Sequence, residues 1–255
     1  MKIAAIDDEV VAALSCVVPE ARGRGVREAV ITTLFGRVDA LPGRLQGLVL
    51  TSDLQARERG GAGRAIGVAL AEQLVGVCRG RGLAPSRVGV VLAGDLYTAA
   101  TLERRFGVGD VSDVWDAFAA RFAWVTGVLG NVDRLPPAAR KRHRLLEGDA
   151  ITLDGLRIAG VGGIIGDARM ENRRPQEVVE REFASALRGA PDLLVLHEGP
   201  SVPGVGLPGS DVVRRALRDF TGVVVCGHCT WPRPLAAVRG ATVINTDGRC
   251  VVLTA

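Results

Sequence analysis

Five short apolar runs in this 255-residue chain each end, within two residues, in Asp, Asn or His. The run at 47–51 leads into Ser52, Asp53, Leu54 and Gln55; the run at 88–93 into Gly94 and Asp95; the run at 123–129 into Gly130, Asn131, Val132 and Asp133. The run at 193–196 delivers His197, and the run at 222–225 delivers Cys226, Gly227, His228, Cys229 and Thr230. Carboxylate, amide oxygen and imidazole are the donors that bind divalent cations. Two such cations, about 3.5 to 4 Å apart, clamp the oxygens of a phosphate and lower the pKa of the water between them. Each residue alone has a plainer reading: Asp53 and Asp95 as helix caps, Asn131 as a turn residue, His197 as a satisfied core histidine. Their recurrence in order after five apolar runs argues for one shared site.

The elements that would position these residues follow from the same pattern. Each apolar run is rich in Val, Leu and Ile and stops at a polar or glycine cluster, the signature of a strand buried on both faces. A sixth such run spans 156–161. Segments with helical spacing lie between them at 64–79, 111–122, 175–187 and 210–220, so the order predicts a layered α/β fold. In open α/β sheets, ligands collect where loops converge at the carboxyl ends of strands, which is where all five motifs fall. Asp247-Gly248, between ATVINT and CVVLTA, predicts a closing β-hairpin. Residues 1–45 read as an N-terminal extension of uncertain structure with one helix at 26–38, and no shift of composition divides the chain, so 1–255 reads as a single domain. Tyr97, two residues beyond Asp95, and Arg57, two beyond Gln55, are placed to touch a bound substrate.

These motifs resemble those of the calcineurin-like metallophosphoesterases, in which D-x-H, G-D, G-N-H-D/E, H and G-H-x-H succeed one another. Here they read D-L-Q (Asp53 to Gln55), G-D, G-N-V-D (Gly130 to Asp133), H and G-H-C-T (Gly227 to Thr230), over roughly residues 46 to 255. The resemblance implies a four-layer sandwich of two mixed β-sheets flanked by helices, with two metals at one rim. It assigns Asp95 as a bridging carboxylate and completes one metal site with Asn131, His197 and His228. The other site keeps Asp53 and the shared Asp95, with Gln55 and Thr230 standing where histidines are usual. A glutamine oxygen suits Mn²⁺ or Mg²⁺ better than Zn²⁺. Asp95, Asn131 and Asp133 carry over as catalytic residues, but the histidine between the last two is Val132. Loss of a positioned acid costs about 10²- to 10⁴-fold in rate. The implied activity is therefore hydrolysis of phosphodiesters or activated phosphomonoesters by a metal-bridging hydroxide, with small molecules or nucleic acid as substrate. The alternative is a binding or scaffold protein that retains the fold and little or no activity.

Composition narrows the remaining classes. With 32 Lys+Arg against 28 Asp+Glu the net charge is +4, a small surplus that gives little support to a polycationic nucleic-acid binder. The 33 glycines and 12 prolines are spread along the chain, which excludes collagen-like and linker-like readings. No apolar run reaches the roughly 18 residues of a membrane helix, and the N-terminal stretch meets acid too early for a signal sequence, so the expected location is the cytoplasm, away from membranes. Cys226-Gly-His-Cys229 has the spacing of a disulfide oxidoreductase, but Pro232 and Pro234 prevent the helix that would lower the thiol pKa. The glycines at 160–166 do not fit a phosphate-binding loop, and the basic run 140–144 reads as a solvated helix face. Specificity would lie in the loops 166–174 and 199–209.

Overall fold

Runs such as GLVLT and LLVL can satisfy their backbone only in a ladder and their side chains only between two apolar layers, and the structure gives them both. The computed structural model describes residues 1–20, 25–59, 63–100, 102 and 107–255. Its longer strands are β1 (Ile3–Pro19), β2 (Val26–Val38), β3 (Gly47–Thr51), β4 (Val88–Leu92), β5 (Trp124–Gly127) and β6 (Ala150–Leu153). They continue as β7 (Leu156–Val161), β8 (Leu193–Glu198), β9 (Val223–Gly227), β10 (Leu235–Val238), β11 (Ala241–Asn245) and β12 (Arg249–Thr254). The helices are α1 (Ile66–Gly80), α2 (Ser112–Ala119), α3 (Pro137–Arg142), α4 (Gln176–Arg188) and α5 (Asp211–Ala216).

One sheet runs β1-β2-β12-β3-β4-β5, with two-residue strands at 57–58 and 144–145 on its edges. Strands β3, β4 and β5 are parallel, β12 lies antiparallel to β3, and β2 runs parallel to β12. The other sheet runs β6-β7-β8-β9-β11-β10, parallel in its four central strands and antiparallel at both edges. Both are mixed sheets.

Side chains alternate across each strand, and the alternation sorts the core into three clusters. Leu48, Leu50 and Val91 of the first sheet meet Ile158, Val195 and Val225 of the second. Val49, Val90 and Leu92 point the other way, against Leu70 and Leu74 of α1 and Trp115 and Phe118 of α2. Leu194, Leu196 and Val224 of the second sheet pack on Val179 and Phe183 of α4 and Val213 of α5. The result is an α/β sandwich with the two sheets face to face and helices outside.

Two sequence expectations are corrected. Residues 26–38 form a strand, not a helix, and with β1 they make a long antiparallel ribbon integral to the first sheet. The apolar residues from Val26 to Val38 do recur at helical spacing. However, Val26, Val30, Ile31, Thr32, Thr33 and Val38 are β-branched, and β12 offers the segment a ladder. Residues 241–254 do not form a hairpin either. β11 pairs within the second sheet and β12 within the first, so Asp247-Gly248 carries the chain from one sheet to the other. Among the described residues, no helix is long and apolar enough to cross a membrane.

Candidate metal centre

The carboxyl ends of β3, β4 and β5 meet those of β8 and β9 at one rim, and backbone bonds between their loops set the spacing. Asp53 N–H donates to Gly94 O at 2.9 Å, Ser52 Oγ and Thr246 Oγ1 lie 2.9 Å apart, and Thr246 N–H donates to Cys226 O at 2.7 Å. The loops approach so closely that three motif positions, Gly94, Gly130 and Gly227, admit only glycine. A Cβ on Gly130 would overlap Asp95 Oδ1, and a Cβ on Gly227 would overlap Asp53 Oδ2. The residues that follow the strands are bent to match. Asp53 (φ 54°), Asp95 (φ 54°) and His228 (φ 67°) all adopt the left-handed conformation that most side chains avoid.

His197, fully buried, is the pivot. Its Nδ1 lies 2.9 Å from Ala93 O, so the N–H on that side is committed to a backbone carbonyl. Its Nε2 then faces Asn131 Oδ1 at 3.1 Å and Asp95 Oδ1 at 3.3 Å. His228 meets the His197 ring edge-on, with centroids 5.1 Å apart. The ligand atoms of Asp95, His197 and His228 lie within 4.8 Å of one another, the one such group of three among the described residues. Asn131 Oδ1 adds a fourth donor. Without a cation, Nε2 satisfies two oxygen acceptors only by holding a proton. Burial alone would lower the His197 pKa, but the charge and hydrogen bond of Asp95, and then the charge of Asp53, raise it to about 10. Burial pushes the Asp95 carboxyl up, and the His197 charge and hydrogen bond outweigh it to hold Asp95 below its usual value. Burial and the His197 charge push the His228 imidazole down.

The remaining sequence candidates take different places. Asp53 is half-buried, and its Oδ2 accepts the His228 N–H at 3.0 Å, which locks two of the loops together. Burial first, then the charges of Asp247 and Asp95, push its carboxyl well up. Gln55 does not present an oxygen to a cation: its Nε2 donates to Asp95 Oδ2 at 2.5 Å. Thr230 is exposed and donates to Asp247 Oδ2 at 2.5 Å.

Asp133, expected as a catalytic residue, has its carboxylate engaged with backbone. It is fully buried, and its carboxylate accepts N–H bonds from Leu96 at 2.8 Å, Tyr97 at 3.0 Å and Gly130 at 2.9 Å, stapling the Asp95 loop to the Asn131 loop. Burial, helped by the Asp95 charge, raises it to about 6 despite those donors. Arg57, expected to touch substrate, has its guanidinium donating to the carbonyls of Gly63, Thr98 and Ala99 and is not among the residues that line the cleft. Within the basic run at 140–144, Arg140 pairs with Glu147 and Arg142 with Asp116.

A cleft of about 870 Å³ opens over the cluster. Asp53, Gln55, Asp95, Asn131, Val132 and His228 form its floor, and Tyr97 lines one side. Several further lining residues escaped sequence reading. Arg27 belongs to the ribbon misread as a helix, Arg173 sits in the loop 166–174 with no motif to mark it, and Asp247 looked like a turn residue. Val30, Ile31 and Thr32 of β2 form another wall, so the N-terminal ribbon helps build the cleft.

No family model and no curated protein matches this chain. Solved structures do. One crystal structure, 15% identical, superposes with a TM-score of 0.54 over 79% of this chain and 90% of its own. At that identity the likeness shows the fold alone.

Proposed function

We propose that the protein is a divalent-cation-dependent phosphoester hydrolase, with Mn²⁺ or Mg²⁺ favoured, acting on phosphodiesters or on monoesters with good leaving groups. One observation carries the reading: buried His197 brings its Nε2 within 3.1 to 3.3 Å of Asn131 Oδ1 and Asp95 Oδ1, two residues of a cleft lined also by Arg27 and Arg173. A neutral His197 brings only acceptors to that point, and the mixed nitrogen and oxygen set fits a divalent cation. The layer order and the order of the ligand motifs support membership of the calcineurin-like metallophosphoesterases, whose four-layer sandwich carries metals at this rim.

A cation held there would supply Lewis-acid polarisation of a phosphoryl oxygen and a water of lowered pKa. The chain's own residues account for the rest. Ala93 fixes the tautomer of His197, Asp133 holds the Asp95 and Asn131 loops in register, and Arg27 and Arg173 meet the negative charge of the ester. Val132 brings no proton to a leaving group, which favours groups that depart unassisted. Substrates are phosphate esters, free or in nucleic acid, and the cytoplasm is the compartment assigned, in keeping with five free thiols.

The test is hydrolysis of bis(p-nitrophenyl) phosphate with Mn²⁺, with chelator, and in His197→Ala. Turnover that needs Mn²⁺ and His197 supports the reading; equal turnover in chelator sinks it. The second reading, a phosphoester-binding or scaffold protein, is favoured by Val132 and by the engagement of Asp133 with backbone. Tight Mn²⁺ binding without turnover would select it.

A further inference from the structure

We infer that this rim holds one divalent cation, with the side-chain amide of Gln55 standing where a second would lie; the inference rests on the cation reading above. Asp95 is the residue on which a pair would depend, since a bridging carboxylate offers one oxygen to each ion. Its Oδ1 lies 3.3 Å from His197 Nε2 and also accepts the Val132 N–H at 3.1 Å. Its Oδ2 faces the other way and is taken by Gln55 Nε2 at 2.5 Å. The orientation of that amide is fixed by chemistry, because turning it over would set its oxygen against a carboxylate oxygen at the same distance. An ion bonded to Oδ2 at about 2.0–2.1 Å, as Mg²⁺ requires, would need the volume the amide now fills.

The neighbouring donors agree. Asp53 Oδ2 is turned to the His228 N–H. Thr230 Oγ1 gives its proton to Asp247, so the hydroxyl and that carboxylate pair with each other. Asp53, Asp95 and Asp247 all line the cleft, yet their oxygens do not gather within 4.8 Å as those of Asp95, His197 and His228 do. The amide N–H thus supplies a partial positive charge to Asp95 Oδ2, and the full charge of a second ion over the phosphate is replaced by the guanidiniums of Arg27 and Arg173.

The experiment is equilibrium dialysis of the metal-free full chain against Mn²⁺, with bound metal counted per chain and the bound ion observed by electron paramagnetic resonance. His197→Ala, checked by circular dichroism, serves as the comparison. The expected result is one Mn²⁺ per chain, a spectrum without spin coupling to a second ion, and loss of that ion in His197→Ala. Two ions per chain with a coupled spectrum would overturn the single-cation inference and leave the cation-dependent reading standing. One ion that persists in His197→Ala would place it elsewhere and overturn the inference too. No bound ion would remove the cation reading itself, and this inference with it.

Discussion

His197 Nε2 lies 3.3 Å from Asp95 Oδ1, and the same ring is tethered through Nδ1 to Ala93 O, so this pair has a single position to fill with either a proton or a cation. A histidine raised to about 10 carries its proton at neutral pH. The raised value adds stability to the metal-free fold that is fully present below the unfolded histidine value and is lost as pH rises through about 10. Cation binding must displace that proton. Mn²⁺ affinity is therefore expected to rise roughly tenfold per pH unit from pH 6.5 to 8, with about one proton released per ion. Titration calorimetry in buffers of different ionisation enthalpy reads the proton directly, and affinity independent of pH would refute the assignment.

Asp133 offers two oxygens to three backbone donors. Asp133→Asn turns one acceptor into a donor facing an N–H, which should destabilise the fold by about 1–3 kcal/mol. Because the staple holds the loops of Asp95 and Asn131, Mn²⁺ affinity should fall with stability. A variant with lower thermal stability and unaltered Mn²⁺ affinity would show that the staple does not position the site.

Gly130 has no room for a side chain beside Asp95. Gly130→Ala should displace the Asp95 carboxylate and weaken Mn²⁺ binding more than tenfold, while costing about 1–3 kcal/mol of stability from overpacking. Denaturant unfolding and metal titration on one preparation check both.

Val132 is half-buried and lines the cleft floor. Val132→His should raise turnover of alkyl phosphodiesters by up to about 10²-fold, the lower range for a positioned acid, and affect nitrophenyl esters less. Equal gains on both would mean that the new imidazole acts by charge and not by donating a proton.

Arg173 and Arg57 should separate cleanly. Arg173→Ala should raise KM for a phosphodiester by roughly tenfold, the worth of one charged hydrogen bond, with little change in melting temperature. Arg57→Ala should lower the melting temperature and leave KM near its starting value, since its guanidinium is spent on carbonyls. The reverse pattern would exchange their roles.

The central strands were legible because their burial is written locally. Val88–Leu92 and Leu193–Leu196 are apolar without interruption, and the polar residues after them mark the rim. The clustering of the candidate site residues was legible for the same reason, since His197 and Asp95 lie next to strand ends. What escaped depends on distant partners. Residues 26–38 are held as a strand by the adjacent β1 on one edge and by β12, more than 200 positions away along the chain, on the other, and ATVINT and CVVLTA separate into two sheets although Asp-Gly locally favours a hairpin. The Gln55–Asp95 hydrogen bond was not legible, because the sequence names an amide without saying which end of it faces Asp95.

The place of β12 between β2 and β3 has a consequence for biosynthesis. Until residues 249–254 leave the ribosome, the first sheet exists as two unjoined parts, the β1–β2 ribbon and the β3–β4–β5 parallel set, each with an open hydrogen-bonding edge. The nascent chain must keep those edges from other partners until then. Pairing so distant in sequence makes that joining step slow, and the ribbon and the parallel set are where a chaperone or an aggregating neighbour would first engage.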